Sequence, residues 1–178
     1  MFDSKFAIDS FPKILSVAPM TIYLAIVATL IGFVIAILIV IVRERQIKFL
    51  NPIVAILVSF IRGTPIIVQM YVVYYGLPQL LVLLKGMGFS TDPNGLSAIV
   101  IAISAYSLNA SANISESIRS AYHSVDPQQY EAAITVGMKP IRSMTRIVIP
   151  QLIANFIPNF SNLFLDLIKD TALVYNIG

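Results

Sequence analysis

The sequence predicts an all-α polytopic membrane protein, and three observations carry that expectation. Of 178 residues, 57% are hydrophobic and only 12% charged, with a mean hydropathy of +0.84, too apolar for an ordinary soluble domain. Apolar stretches recur over about residues 17–42, 65–84, 96–118 and 147–168, each near the roughly 20 residues that cross a bilayer. The longest polar interruption, 120–146, separates the last two and has the marks of a short capped helix.

In chain order, Met1 to Ser16 mixes Phe2, Phe6, Ile8 and Phe11 with Asp3, Lys5, Asp9 and Lys13, a pattern for an interface and not for a crossing. Val17 to Val42 is apolar apart from Thr21 and Thr29 and forms the first span. Arg43, Arg45 and Lys48 then mark a cytoplasmic end, which puts the N-terminus outside. Asn51 to Ile61 reads as an elbow along the inner surface. An arginine at the bilayer centre costs at least about 2.5 kcal/mol, so Arg62 belongs at the inner interface. Thr64 is then expected as an N-cap with Pro65 at the first helical position, and Gly76 and Pro78 as bends in the outer half of span two.

Lys85 to Gly95, rich in Gly, Ser, Asp, Pro and Asn, is an expected outer turn. Span three starts near Leu96 and turns polar and small inward, through Tyr106, Ser107, Asn109, Ser111, Asn113 and Ser115. Such residues pack helices closely or face a wet cavity. At about 1.5 Å per residue, Glu116 lies roughly 30 Å from Leu96 and is placed to pair with Arg119 at the cytoplasmic boundary. Span four carries Pro158 as a kink, with Asn159, Ser161 and Asn162 interrupting its apolar character. Asp166 sits near its outer end, either as a solvated interfacial acid or as a ligand for an ammonium group.

Within the polar interruption Asp126 is a cap, Pro127 suits the first turn, Gln129 is placed to complete a capping box, and Gly137 is a stop. Tyr130, Ala133, Ile134 and Gly137 share one small apolar face, while Gln128, Glu131 and Thr135 point away. Periodicity alone leaves open whether this face meets a protein groove or the lipid surface. Lys139, Arg142 and Arg146 add to the cytoplasmic side; with Arg43, Arg45, Lys48, Arg62 and Arg119 they oppose Lys5, Lys13, Lys85 and Lys169 outside.

Spacing then adds a resemblance. Glu131, Ala132 and Ala133, followed by Gly137, Ile147, Ile149 and Pro150, resemble the E-A-A-x3-G-x9-I-x-L-P motif of the permease subunits of bacterial ABC importers, with Ile149 in place of Leu. FIRGTPIIVQ and YYGLP, between Phe60 and Pro78, look like segments of the polar amino-acid branch, which handles glutamine, glutamate, histidine, arginine and cystine. Asn109, Ala112, Glu116, Arg119, Ser124, Val125 and Gln129 match the branch's approach to that motif, with departures at Asn113 and Gln128. LIKDTAL, from Leu167, is similar to its L-x-K-D-T-S-L, with Ala172 for Ser. The resemblance covers nearly the whole chain, except that a fifth span would begin near Tyr175 to Gly178.

The resemblance implies an ABC importer type I permease-like helical bundle, with four spans here and a cytoplasmic coupling helix. It implies an ATP-binding subunit docking on Tyr130, Glu131, Ala132, Ala133, Gly137, Ile147 and Pro150. A second permease copy, a homodimer or related heterodimer partner, and an extracytoplasmic substrate-binding protein complete the expected assembly in the bacterial cell membrane. The translocation path is expected to use Arg62, Thr64, Gln69, Asn109, Asn113, Glu116 and Asp166. For the Arg62 to Gln69 segment a capped helix start with an interfacial arginine by itself explains the chemistry, and is favoured over a direct role at the path.

Several classes lose support. No P-loop is present, so energy must come from a partner; no G-x-S-x-G or H-E-x-x-H surrounds the single histidine, His123, which reads as an exposed loop residue. No cysteine, metal-ligand cluster or cofactor signature occurs, and the net charge of +3 sits beside hydrophobic spans, where it reads as topology and not as nucleic-acid binding. The expected function is therefore non-enzymatic, ATP-driven uptake of a polar amino acid such as cystine or glutamine. The alternatives are an ATP-independent carrier or channel, disfavoured by the lack of paired membrane-centre acids, and an assembly-only truncated permease.

Overall fold

The structure is a computed structural model describing residues 4–89, 92 and 95–176, with side chains from 9 to 174. No strand occurs among the described residues. The helices are α1 (Ser4–Glu44), α2 (Leu50–Gly63), α3 (Ile66–Gly86), α4 (Ala98–His123), α5 (Pro127–Thr135), α6 (Pro140–Ser143) and α7 (Ile149–Asp170). A π-turn, Met144–Val148, joins α6 to α7, and a 3-10 turn, Thr171–Asn176, follows. Four helical segments are long and apolar enough to cross a membrane: Asp9–Glu44, Ile66–Gly86, Ala98–His123 and Pro140–Val174.

α4 is the central helix. Ile101, Ala102, Ala105, Tyr106, Ala110, Ala112 and Ile114 are buried along it, together with Ser107, Ser111, Ser115 and Ser117. These are mostly small side chains, which let neighbouring backbones approach closely where apolar lipid provides no hydrophobic drive between helices. α1 makes the closest approach: a Cβ on Gly32 would lie 2.7 Å from the Ala110 Cβ and 3.0 Å from the Ser107 carbonyl oxygen. Towards one end Met70 and Tyr106 anchor a core with Ala28, Ile101 and Leu167; towards the other, Phe33, Phe156 and Phe160 pack on Ala36, Ala110 and Ile114.

The first helix starts earlier than the apolar run. α1 extends unbroken from Ser4 through Pro12 and Pro19 over 41 residues. At about 1.5 Å per residue that is about twice a 30 Å hydrocarbon layer, so its first turns extend beyond a single crossing. The expected outer turn from Lys85 to Gly95 and the chain end at Tyr175 to Gly178 fall partly outside the described residues.

Three local expectations are corrected. Thr64 does not cap α3: its hydroxyl donates to the Phe60 carbonyl and its N–H to Ile61, so it closes α2. Gln69 joins the two helices instead, its Nε2 donating to the carbonyls of Ile61 at 2.7 Å and Thr64 at 2.8 Å. Asp126 caps α5 as expected, accepting the Gln128 N–H at 2.9 Å, but Gln129 forms no capping box because its Oε1 accepts from Gln151 Nε2 at 2.6 Å. His123 is the last residue of α4 and not a loop residue, and its Nε2 lies 3.1 Å from Glu44 Oε1.

The start of the last long helix has a physical cause in Pro150. Proline lacks the N–H that would bond four residues back, and the Ile149 N–H bonds the Met144 carbonyl, five residues back. The result is a wide turn that re-registers the helix between α6 and α7. Helical structure therefore begins at Pro140.

Candidate functional site

Two places collect the predicted residues. The first is a polar cleft between the end of α2, the C-terminal half of α4 and α7. Arg62, Asn113, Glu116, Asn159, Asn162 and Asp166 line it, with a volume of about 490 Å³. A smaller cavity of about 200 Å³ adjoins it, sharing Asn113, Leu163 and Asp166 and adding Thr29, Asn109 and Asp170.

Arg62, Asn113, Glu116 and Asp166 are thus brought together, far apart as they are in sequence. Asn109 opens on the smaller cavity and is tied to its neighbours: Asn113 Nδ2 donates to Asn109 Oδ1 at 3.0 Å, and Asn109 Nδ2 donates to Gln69 Oε1 at 3.2 Å. Gln69 therefore connects the α2–α3 junction to the polar face of α4. Thr64 is not among the lining residues of either space. Asp166 accepts from Lys169 Nζ at 2.9 Å, is 65% exposed on the single chain and lines the cleft.

Sequence reasoning left Thr29 and Asp170 out of the site. Thr29 is 7% exposed, and its Oγ1 has no hydrogen-bond partner. The signal was present in part, since Thr29 is one of two threonines in an otherwise apolar span. On α7, Asn155, Asn159, Asn162 and Asp166 recur at spacings of four, three and four, a polar stripe on one helical face that also extends the predicted set.

At one end of the cleft the charges are paired. Glu116 accepts from Arg119 at 3.0 Å, the expected i, i+3 pair, and from Arg43 at 3.4 Å. Arg119 also donates to Glu44 at 2.8 Å, so the ends of α1 and α4 are clamped by alternating charges. Each of these side chains is mostly shielded from solvent, which strengthens such contacts relative to surface pairs.

The second place is α5 and its surroundings. Gly137, at φ +85, terminates the segment in the left-handed region that suits glycine. Ala133 is buried and Tyr130 half-buried, because that face of α5 lies against the chain's own π-turn. Glu131, Ala132 and Gly137 remain exposed, and beyond them Val136 and Ile141 are 81% and 80% exposed. Ile147 is half-buried and Pro150 exposed. A groove of about 420 Å³, lined by Tyr122, Val125, Tyr130, Glu131, Met144 and Val148, runs beside the helix.

Comparison with known proteins agrees with this arrangement. Residues 28–178 match the family described as binding-protein-dependent transport system inner membrane component. The chain is 34% identical over 176 residues to "Probable amino-acid permease protein YxeN" of Bacillus subtilis (strain 168), covering 99% of this chain and 75% of that one. It is 33% identical to "L-cystine transport system permease protein TcyL" of the same organism, covering 99% of this chain and 72% of the relative. A solved structure, "Crystal structure of an amino acid ABC transporter with histidines", superposes with a TM-score of 0.81 at 31% identity, over 100% of this chain and 78% of that chain. A helical bundle with apolar spans and a polar cleft, matched over most of its length by that family, belongs to the binding-protein-dependent transport system inner membrane components, among the amino-acid ABC permeases.

Proposed function

We propose that this chain is the membrane-spanning subunit of an ATP-driven uptake system for a polar amino acid, such as cystine or glutamine. The observation that carries the reading is the placement of exposed α5 at the end of α4, next to a helix whose polar stripe lines a cleft. Glu131, Ala132 and Gly137, supported by Tyr130, Ala133, Ile147 and Pro150, dock the ATP-binding subunit. Arg62, Gln69, Asn109, Asn113, Glu116 and Asp166 border or organise the translocation path.

A second permease copy, or a related one, closes the cleft, since Asn155, Asn159, Asn162 and Asp166 are exposed on the single chain. Polar side chains at membrane depth face protein or a wet cavity in preference to lipid. An extracytoplasmic binding protein delivers substrate at the side of the N-terminus, and paired ATPases switch access by rigid-body rocking.

The test is reconstitution of the complete transporter in vesicles. Glu131→Lys, or a bulky residue at Gly137, is expected to leave insertion intact and uncouple ATP hydrolysis from uptake; normal coupled transport by both refutes the docking role. Alanine at Asn109, Asn113 and Asp166 is expected to alter substrate affinity or selectivity; no change at any of them places the path elsewhere. Binding of an amino-acid panel to the cognate binding protein identifies the substrate.

A further inference from the structure

We infer that Gln151 is a positioning residue that transmits movement of α5 to α7. α5 is joined covalently to α4 through Ser124, Val125 and Asp126, and α4 is clamped to α1 by the Glu44, Arg43, Glu116 and Arg119 contacts. By that route alone, a push on α5 acts on the best-packed helix of the bundle. α7 is attached to α5 by the chain that runs through α6 and the π-turn, against which α5 packs, and by a side-chain bond. Gln151 Nε2 donates to Gln129 Oε1 on α5 at 2.6 Å, while Asn155 Nδ2 donates to Ser124 Oγ, at the end of α4, at 2.8 Å.

Gln151 thus holds the first turn of α7 to α5, and Asn155, one turn on along the same face, holds the next to the end of α4. Gln151 also donates to the Ile147 carbonyl at 2.9 Å, which ties the same side chain to the π-turn. From Gln151, the same stripe continues through Asn159 and Asn162 to Asp166, about 22 Å along the helix. Pro158 lies between, where the missing N–H releases the Ala154 carbonyl and leaves a place for the outer half to swing. A shift of α5 therefore reaches α7 through the Gln151 amide and the π-turn that it braces, without the α1–α4 clamp having to open.

This role presupposes that α5 docks the ATPase, as proposed above, and the experiment separates the two. Gln151→Leu and Gln129→Leu are made in the complete transporter and measured in vesicles for ATPase retention, ATP hydrolysis and substrate moved per ATP. Retention and hydrolysis are expected at wild-type levels, with transport per ATP down about fivefold in each variant, as loss of one such hydrogen bond implies. Gln129→Leu combined with Gln151→Leu is expected to be no worse than either alone, because both remove the same contact.

The chain has no cysteine, so Gln129→Cys with Gln151→Cys offers a chemical rescue. A short bifunctional thiol reagent across that pair is expected to restore transport per ATP. Wild-type transport per ATP in both leucine variants, additive losses in the double variant, or no rescue by the linker overturns the role. Failure of the wild-type chain to retain an ATPase at all defeats the docking reading as well. A variant that loses its thermal transition is replaced by Gln151→Asn, whose shorter side chain keeps the amide and is expected to show the same loss of coupling; wild-type coupling there also overturns the role.

Discussion

Arg119 on α4 donates its Nε hydrogen to Glu44 on α1 at 2.8 Å, closing a contact between residues 75 positions apart. The same carboxylate oxygen lies 3.1 Å from His123 Nε2, while Arg119 keeps a second partner in Glu116. Glu44→Ala removes one anion from a group of alternating charges and is expected to cost about 1 kcal/mol, given partial exposure. Glu44→Lys adds a cation beside Arg119 and should cost more. Thermal unfolding in detergent checks the order; equal stability of wild type and Glu44→Lys contradicts the clamp.

At Gly32 α1 and α4 approach too closely to admit a side chain. A Cβ there would meet Ala110 Cβ at 2.7 Å, with the Ser107 carbonyl oxygen at 3.0 Å and the Ser111 nitrogen at 3.1 Å. Gly32→Ala is therefore expected to destabilise by about 1–3 kcal/mol, the usual cost of overpacking. Adding Ala110→Gly should recover only part of this, since the backbone atoms stay in place. Full recovery in the thermal transition would mean that the side chain alone sets the helix spacing.

Gln69 uses both ends of its amide, as a double donor to Ile61 and Thr64 and as an acceptor from Asn109. Gln69→Leu removes three hydrogen bonds, although the Ile61 carbonyl keeps the Thr64 N–H, and is expected to cost about 2–3 kcal/mol, at about 1 kcal/mol for each bond. Gln69→Glu supplies no donor and puts an anion against two carbonyls, so it should be at least as damaging. Limited proteolysis at the α2–α3 junction and the thermal midpoint report both; a stable Gln69→Glu variant rules out the donor role.

Gly137 has open space around it, since no atom lies within 4 Å of a built Cβ. Its constraint is backbone conformation alone. Gly137→Ala is expected to cost about 1–2 kcal/mol and Gly137→Asn less, because Asn tolerates the left-handed region better. The relative stabilities, read by hydrogen exchange across 126–138, distinguish this from a packing effect, which would penalise the larger Asn more.

Much of the architecture was legible because it depends on short-range rules. The Asp126 cap, the end of α5 at Gly137 and the Glu116–Arg119 pair involve residues two to eleven positions apart, where helix geometry alone fixes who meets whom. The polar character of the inner half of α4 was likewise plain. Which residues joined it was less so: Asp166 and Arg62 face Asn113 only because α7 and α2 pack on α4 with a particular rotation.

Local rules also misled where a competing partner was near. Thr64 and Gln129 each stand at the right position for a cap, yet each polar side chain found a different partner, the Phe60 carbonyl and Gln151. By itself, the sequence determined the helical class, the apolar segments and the α5 signal, since hydropathy and helical periodicity act within one segment. Only the tertiary structure decided the Gly32–Ala110 crossing, the Glu44–Arg119 clamp and the Gln129–Gln151 bridge. Those depend on how far each helix is rotated and slid against its neighbours, and no single segment encodes that.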